Sequence, residues 1–362
     1  MFGQADDHGS PKSYDLSEVQ AAGELIAVTL SGPDTYYEYR GQGFGLQFAL
    51  AQAFSNSIGA RLRMEIAADT TQLLERLCSG EVDIIALEMD SSSVITSCLL
   101  LPNGWVIRRS SSELSEAVAQ WWNPEIRTRL LAVEQAQRSS TNRVRRTLRP
   151  PMLSRQSGII SHYDEHFQRA ARTVGWDWRL LAAQCYQESG FDPRAVSWAG
   201  ACGLMQIMPS TGEHLGISRG ELFDPIRNIE AAARYIVQLN TSFSDISDSQ
   251  ERICFVLAAY NGGAGHIRDA MALSQSEGHT PRRWSDVEPY VRLLSSPATY
   301  RNPLVKFGYL RGEETVGYVR QIRSRWAAYR GAAAPRIMGP TSAGRGPSRV
   351  RPRSDFLLDS LP

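Results

Sequence analysis

Residues 186–209 read YQESGFDPRAVSWAGACGLMQIMP. This stretch holds one glutamate, Glu188, followed by small, aromatic and sulfur-bearing residues, with Asp192 as the only other acid. In the preceding DWRLLAAQCYQES, residues 177–189, Leu181, Cys185 and Glu188 fall on one helical face at i, i+4 and i+7. Two apolar residues and then a carboxyl group at the helix end describe an acid entering an apolar pocket. Loss of water there favours the protonated form that a general acid needs, and the negative end of the helix dipole acts in the same direction. Taken alone, Glu188 reads more readily as an exposed residue of a last turn. Asp192 stands just before Pro193, a position that suits a turn better than a second catalytic group.

The 362 residues allow about two domains of roughly 150 residues each. Composition is that of a globular protein, and the formal net charge of +1 argues against nucleic acid as a partner. Lysine occurs only at positions 12 and 306, so almost all the basic residues are arginine. No apolar run approaches the ~18 residues of a membrane span, and the first residues lack the apolar stretch of a signal peptide. The expectation is either a cytoplasmic chain or a mature form without its export signal. The five cysteines, at 78, 98, 185, 202 and 254, are odd in number and form no CxxC pair. Neither a zinc site nor a disulfide framework is indicated, each cysteine reads as a small buried apolar residue, and no metal or cofactor is expected.

GELIAVTLS (23–31), RLRMEIA (61–67) and VDIIALE (82–88) read as strands. Between them lie two helical patterns. GLQFALAQAFSNSIGA places Leu46, Ala49, Leu50 and Ala53 on one face, and TTQLLERLCSGE follows. This βαβαβ order predicts a parallel α/β unit, with a further strand in GWVIRRS and a helix in SELSEAVAQWWN capped by Ser112 or Ser115. The glycines of GQGFG do not have phosphate-loop spacing and are expected to position the next helix. Residues 138–155 carry six arginines, two prolines and no acid, and read as a basic linker. Beyond them the apolar spacing is helical throughout, with Asp177 and Ser249 as expected N-caps. Residues 331–362, rich in Gly, Pro, Ser and Arg, read as a disordered tail.

ESGFDPRAVSWAGACGLMQIMPSTG, AAYNGGAGHI (258–267) and EETVGYVRQI (313–322) resemble, in order, the three motifs of the family 1 lytic transglycosylases, lysozyme-like enzymes that cleave peptidoglycan. The resemblance covers about residues 160–330. It implies that Glu188 is the acid/base. It also implies that Ser197, Gln206 and Met208 line the saccharide groove, that Tyr260 and Asn261 contact the sugar and the catalytic carboxyl group, and that Tyr318 is the third motif's aromatic. GELIAVTLSGPDTYYEYRGQGFGLQFALAQAF resembles the opening of amino-acid-type solute-binding lobes. The two together resemble the membrane-bound lytic murein transglycosylase F family. Glu88 to Asn103 is too short to build the second lobe that such a domain needs.

The reading is therefore an α+β multidomain chain. A small solute-binding-like α/β lobe without its second lobe (23–135) precedes the linker (138–155), a mostly α lysozyme-like domain (156–330) and the tail. The resemblance implies cleavage of the β-1,4 bond between N-acetylmuramic acid and N-acetylglucosamine, with 1,6-anhydromuramic acid ends. The expected partner is the peptidoglycan glycan strand. The expected location is the cell envelope, periplasmic and outer-membrane-associated, with attachment through an N-terminal signal or lipid anchor outside this chain. Two alternatives stay open: a lysozyme-type hydrolase with a second carboxylate, and a non-enzymatic wall-binding protein.

Overall fold

The computed structural model describes residues 15–140, 152–154 and 156–331. The first part is α/β, in the order α1 (Leu16–Ala22), β1 (Glu24–Leu30), β2 (Tyr37–Tyr39), β3 (Gln42–Phe44), α2 (Leu46–Ser57), β4 (Arg61–Ala67), α3 (Thr70–Cys78), β5 (Ile84–Ile85), β6 (Cys98–Leu100), β7 (Val106–Arg108), α4 (Ser112–Trp121) and α5 (Pro124–Ser140). The rest is helical: α6 (Asp164–Val174), α7 (Trp178–Ser189), α8 (Pro209–His214), α9 (Pro225–Ser242), α10 (Ser249–Gly262), α11 (Ala264–Ser276), α12 (Trp284–Leu293), α13 (Pro297–Tyr300) and α14 (Gly312–Gly331).

Five strands form one sheet in the order β4-β1-β5-β7-β6. β1 runs parallel to β4 and β5, as the βαβαβ pattern predicts, while β7 runs antiparallel to β5 and β6. The two-residue period of a strand sends alternate side chains to opposite faces. Leu25, Ala27, Ile84 and Ile107 pack on one side with Leu50, Phe54 and Trp105. Val28, Ile85 and Val106 pack on the other with Leu73 and Leu77. The segment from Glu88 to Asn103, too short for a second lobe, supplies β6, an edge strand paired to β7.

Several local expectations are corrected. α2 buries Leu46, Leu50, Ala51 and Phe54 rather than the face containing Ala49 and Ala53, because the large Phe54 turns inward against Trp105 and Trp121. β5 is two residues long, yet pairing continues on either side through Asp83 N to Ile26 O and Ala86 N to Val28 O. Ser111 is the N-cap of α4 by position, while Asp15 accepts from the Glu113 and Leu114 amides. The same carboxylate accepts from Leu16 at the start of α1, a helix that precedes the expected boundary at residue 23. Asp177 caps α7 as expected, but Asp248 rather than Ser249 caps α10. Residues 138–140 belong to α5, and Leu153 and Ser154 pair with Ile160 and Ile159, so regular structure reaches into the expected linker from both sides. Its remainder, and the expected tail beyond Gly331, lie outside the described residues.

The helical part is built around α7 and α10. α10 buries every residue from Ile253 to Gly262, which marks it as a central helix, apolar on all sides. α7 packs against α6 and α14 and carries Glu188 in its last turn, closed by Gly190 in the left-handed region.

α11 buries His266, whose imidazole is pushed down to about 4 by burial, against an opposing contribution from the Gly308 backbone. The folded value lies below the ordinary ~6.5 of an unfolded chain. The contribution is therefore complete above about pH 6.5 and is lost as pH falls toward 4, where the unfolded chain takes a proton that the folded chain refuses. We expect this residue to cost about 3 kcal/mol of unfolding free energy across that window, and His266→Gln to remove that component. Urea titrations of both proteins at several pH values check it; equal slopes would show that His266 is not responsible.

Candidate active site

Glu188 is buried at the C-terminal end of α7, and both of its oxygens have donors. The Tyr318 hydroxyl on α14 donates to Oε1 at 2.6 Å, and in turn accepts from Gln184 Nε2 at 3.2 Å. Arg40 Nη2 donates to Oε2 at 2.8 Å, and the two paired side chains are only 10% and 3% exposed. The environment is thus not the purely apolar pocket expected from Leu181 and Cys185. A buried carboxylate costs several kcal/mol unless donors replace its water, and here a phenol and a guanidinium do so. Burial is the largest single influence and works against the Arg40 charge, but Glu188, Tyr39 and Tyr318 together outweigh it and raise the guanidinium further. The Tyr318 phenol is held un-ionised by burial first and by the Glu188 charge second.

Arg40 comes from the α/β part, at the tip of the β2–β3 hairpin. Arg40 and Gly41 are its two loop residues, with φ of 54° and 75°, both positive as a type I′ turn requires. Asparagine or glycine is the inexpensive choice at the first of these positions; an arginine there holds left-handed backbone at a cost of roughly 1–2 kcal/mol. Its guanidinium also donates to the Gln206 carbonyl at 3.2 Å, and Gln206 is itself left-handed, with φ of 51°. Phe191, just past Glu188, is the third non-glycine residue with positive φ among the described residues. Such strain persists only where surroundings over-determine it.

The hairpin is anchored by aromatic packing. Tyr39 stacks on Trp198 with ring centroids 5.3 Å apart, Phe44 lies 4.7 Å from the same indole, and Tyr37 meets Tyr309 edge-on. The Tyr39 hydroxyl donates to Glu314 at 2.6 Å, and the Tyr309 amide donates to Ser31 Oγ at 2.8 Å.

The loop after α7 is shaped by Asn228, which the sequence reading passed over, together with Gly203, Gln206 and Ser197. Asn228 on α9 accepts from the Met205 amide at 2.7 Å and donates to the carbonyls of Cys202 and Leu222. Gly203 sits so close beneath it that a Cβ would fall 2.1 Å from the Leu222 carbonyl oxygen. Gln206 Nε2 donates to Ala195 and Gly203 carbonyls, and Ser197 Oγ accepts from the Ala201 amide.

A cleft of about 520 Å³ opens at Glu188, and Ser197, Gln206, Asn261 and Tyr318 line it, as does Arg40. Asn261 Oδ1 accepts from Thr315 at 2.8 Å. Met208 and Tyr260 are buried and are not among the lining residues. The Tyr260 hydroxyl instead donates to the Met205 carbonyl at 2.8 Å, beneath the cleft floor. Asp192 accepts from the Arg194 amide in the turn expected for it. Two acids do line the cleft with Glu188: Glu313, which pairs with Arg292, and Glu314, which is held by Tyr39 and Arg311. A larger hollow of about 800 Å³ beside Trp176 and Trp326 shares no lining residue with this cleft. Its one carboxylate, Asp177, caps α7 and accepts from Trp326.

Residues 165–281 match the family model described as the transglycosylase SLT domain. The chain is 36% identical over 203 residues to membrane-bound lytic murein transglycosylase F of Stutzerimonas stutzeri, covering 56% of this chain and 41% of that protein. It is 41% identical over 161 residues to the protein of the same name from Alcanivorax borkumensis, covering 44% and 34%. Both relatives are membrane-bound lytic murein transglycosylases F, and the likeness covers about half of this chain. The chain spans about two fifths or less of the length of these relatives. Among solved structures, lytic transglycosylase Slt from Pseudomonas aeruginosa aligns at 21% identity and a TM-score of 0.37, over 62% of this chain and 34% of that one. Arg40, Tyr39, Trp198 and Glu314 are among the cleft residues not found from sequence. The only sign was an arginine placed before Gly41 in YYEYRGQGFG.

Tyr318→Phe removes a donor from a buried carboxylate and an acceptor from Gln184. The expected loss is about 1–3 kcal/mol of stability with the fold retained, measured by urea unfolding and far-UV circular dichroism. A neutral substitution would show that water replaces the phenol without cost.

Proposed function

We propose that this chain is a lytic transglycosylase that cleaves the β-1,4 bond between N-acetylmuramic acid and N-acetylglucosamine of peptidoglycan. The observation that carries this reading is a single buried glutamate, Glu188, facing a polar cleft within the matched domain. Glu188 protonates the leaving glycosidic oxygen as the bond to the anomeric carbon breaks. It then takes the proton from the muramic acid C6 hydroxyl as that oxygen attacks the same carbon. The nucleophile is tethered to its target, so the step has the large proximity advantage of an intramolecular reaction and needs no second carboxylate to activate water. Ser197, Gln206 and Asn261 offer hydroxyl and amide groups to sugar hydroxyls and N-acetyl groups, and Tyr318 orients the acid. Met208 and Tyr260 support the cleft from below. Peptidoglycan lies outside the cytoplasmic membrane, so the enzyme works in the cell envelope. An outer-membrane association would come through an anchor beyond these residues.

A carboxylate that accepts from both Arg40 and Tyr318 has no proton of its own to give. Before Glu188 serves as an acid, the Arg40 guanidinium withdraws and the hairpin tip leaves the cleft. The structure described here is therefore the resting form in this scheme. An equilibrium that favours it by even ~1.4 kcal/mol would lower the competent fraction about tenfold.

Glu314 favours a second reading, a lysozyme-type hydrolase, because it brings another carboxylate to the cleft. Products decide between the two. Digestion of purified sacculi is expected to release anhydromuramic ends, lighter by one water than hydrolysed ends and lacking a reducing terminus. Mainly reducing muramic ends would establish hydrolysis instead. Glu188→Gln is expected to fold and to lose ~10²–10⁴-fold or more of the cleavage rate; near-normal turnover would remove Glu188 from its role. Arg40→Asn suits the left-handed backbone and frees the acid, so cleavage of soluble glycan strands should rise about tenfold. A fall would make Arg40 part of the cleavage machinery.

A further inference from the structure

Two of the five cysteines meet in space. Cys78 closes α3 and Cys98 opens β6, 20 residues later, and their sulfurs lie 3.8 Å apart. Cys98 is buried and Cys78 is half-buried. Their approach is imposed by main-chain and side-chain bonds that do not involve the thiols. Cys98 stands opposite Arg108 in the β6–β7 register, and the Arg108 guanidinium donates at 3.1 Å to the carbonyl of Leu77, the residue before Cys78. The Arg109 amide donates to Ser97, the residue before Cys98, and its guanidinium reaches the Thr96 and Cys98 carbonyls. The end of the helix and the strand are thus clamped through Arg108 and Arg109, and the two thiols face each other across the clamp. The other three cysteines are placed differently: Cys185, Cys202 and Cys254 each donate to a main-chain carbonyl, those of Leu204, Gly200 and Gln250.

We propose that Cys78 and Cys98 form a dithiol pair that closes to a disulfide when the chain meets an oxidising compartment. Closure must bring sulfurs now in van der Waals contact to a bond of ~2.05 Å. The oxidant is a second disulfide, of glutathione or of a dithiol oxidase. The half-buried Cys78 thiolate attacks one of its sulfurs, breaks that S–S bond and expels one thiolate, leaving a mixed disulfide on Cys78. The Cys98 thiolate then attacks the Cys78 sulfur and expels the second thiolate. Two electrons pass from the cysteine pair to the oxidant, and the two protons released by Cys78 and Cys98 are taken up by the two thiolates expelled.

The Cys98 thiol is pushed up to about 11, by burial first and by the Cys78 thiol next, so closure quickens as pH rises toward that value. The bond would staple β6, which has a neighbour on one side only, to the helix that covers the sheet. An edge strand three residues long is the element of this sheet most prone to local opening, and a cross-link there limits it. The pairing rests on geometry alone; that the chain meets an oxidising compartment rests on the wall-cleaving function proposed above.

The test uses the full chain, purified reduced and then equilibrated with oxidised glutathione. Free thiols are counted with a maleimide after denaturation, and peptides are mapped without reduction. The expected result is three reactive thiols of the five, returning to five after reduction, with one cross-linked fragment joining Cys78 and Cys98. Cys98→Ser should stop at a glutathione adduct on Cys78, which marks Cys98 as the closing thiol. Five free thiols after oxidation, a stable adduct on Cys78 in the unsubstituted chain, or a bond to any other cysteine would each overturn the proposal. None of these readouts depends on glycan cleavage. Failure of the cysteine pair is therefore distinct from failure of the enzymatic reading.

Discussion

A carboxylate buried at the end of a helix needs donors, and the burial of Glu188 governs the arrangement of everything near it. α7 brings the group to the interior with the helix's negative end behind it, the least favourable orientation for a second negative charge. The phenol of Tyr318 and the guanidinium of Arg40 replace the missing water, one from α14 and one from the α/β part. Tyr318 also ties Gln184 into the cluster, so the two helices and the hairpin share one polar centre inside an otherwise apolar core. Such a centre is stable only when complete, since each donor removed leaves a charge in low dielectric.

That requirement joins the two parts of the chain. The hairpin does more than cover the cleft, because its tip supplies the guanidinium that pairs with Glu188 Oε2. The aromatic contacts of Tyr37, Tyr39 and Phe44 with Trp198 and Tyr309 hold the tip at the right depth, and the left-handed Arg40 aims the guanidinium inward. Packing and electrostatics therefore act on the same few residues. A ligand or wall fragment that competed for Trp198 would weaken the ion pair without touching Glu188. Conversely, neutralising the ion pair would loosen the aromatic seat.

The α/β part has its own logic. Its sheet begins with the parallel order of a solute-binding lobe and ends in an antiparallel β6–β7 edge, where a second lobe would otherwise emerge. Sixteen residues fold back onto the sheet instead and supply its edge strand β6. The clamp made by Arg108 and Arg109 keeps this shortened edge together.

Local physics alone determined much of this molecule. The strands at residues 24–30 and 61–67 and the helices around Glu188 and Tyr260 follow from side-chain period, which depends only on neighbours in the chain, whereas the inward position of Glu188 needed its motif context. Gln206, Ser197 and Asn261 were legible only through the resemblance of their motifs, since none of them stands out singly by period or spacing. Tertiary structure decided the rest. Asp15 caps two helices, Asn228 organises a loop more than 20 residues away, and Cys78 meets Cys98, because each partner is chosen by packing across the sheet or core. Arg40 is the clearest case: 148 residues separate it from Glu188, and no periodicity links a hairpin tip to the end of a helix. An ion pair of that kind exists only once two independently patterned parts have folded and docked, so its chemistry is a property of their interface and not of either sequence segment.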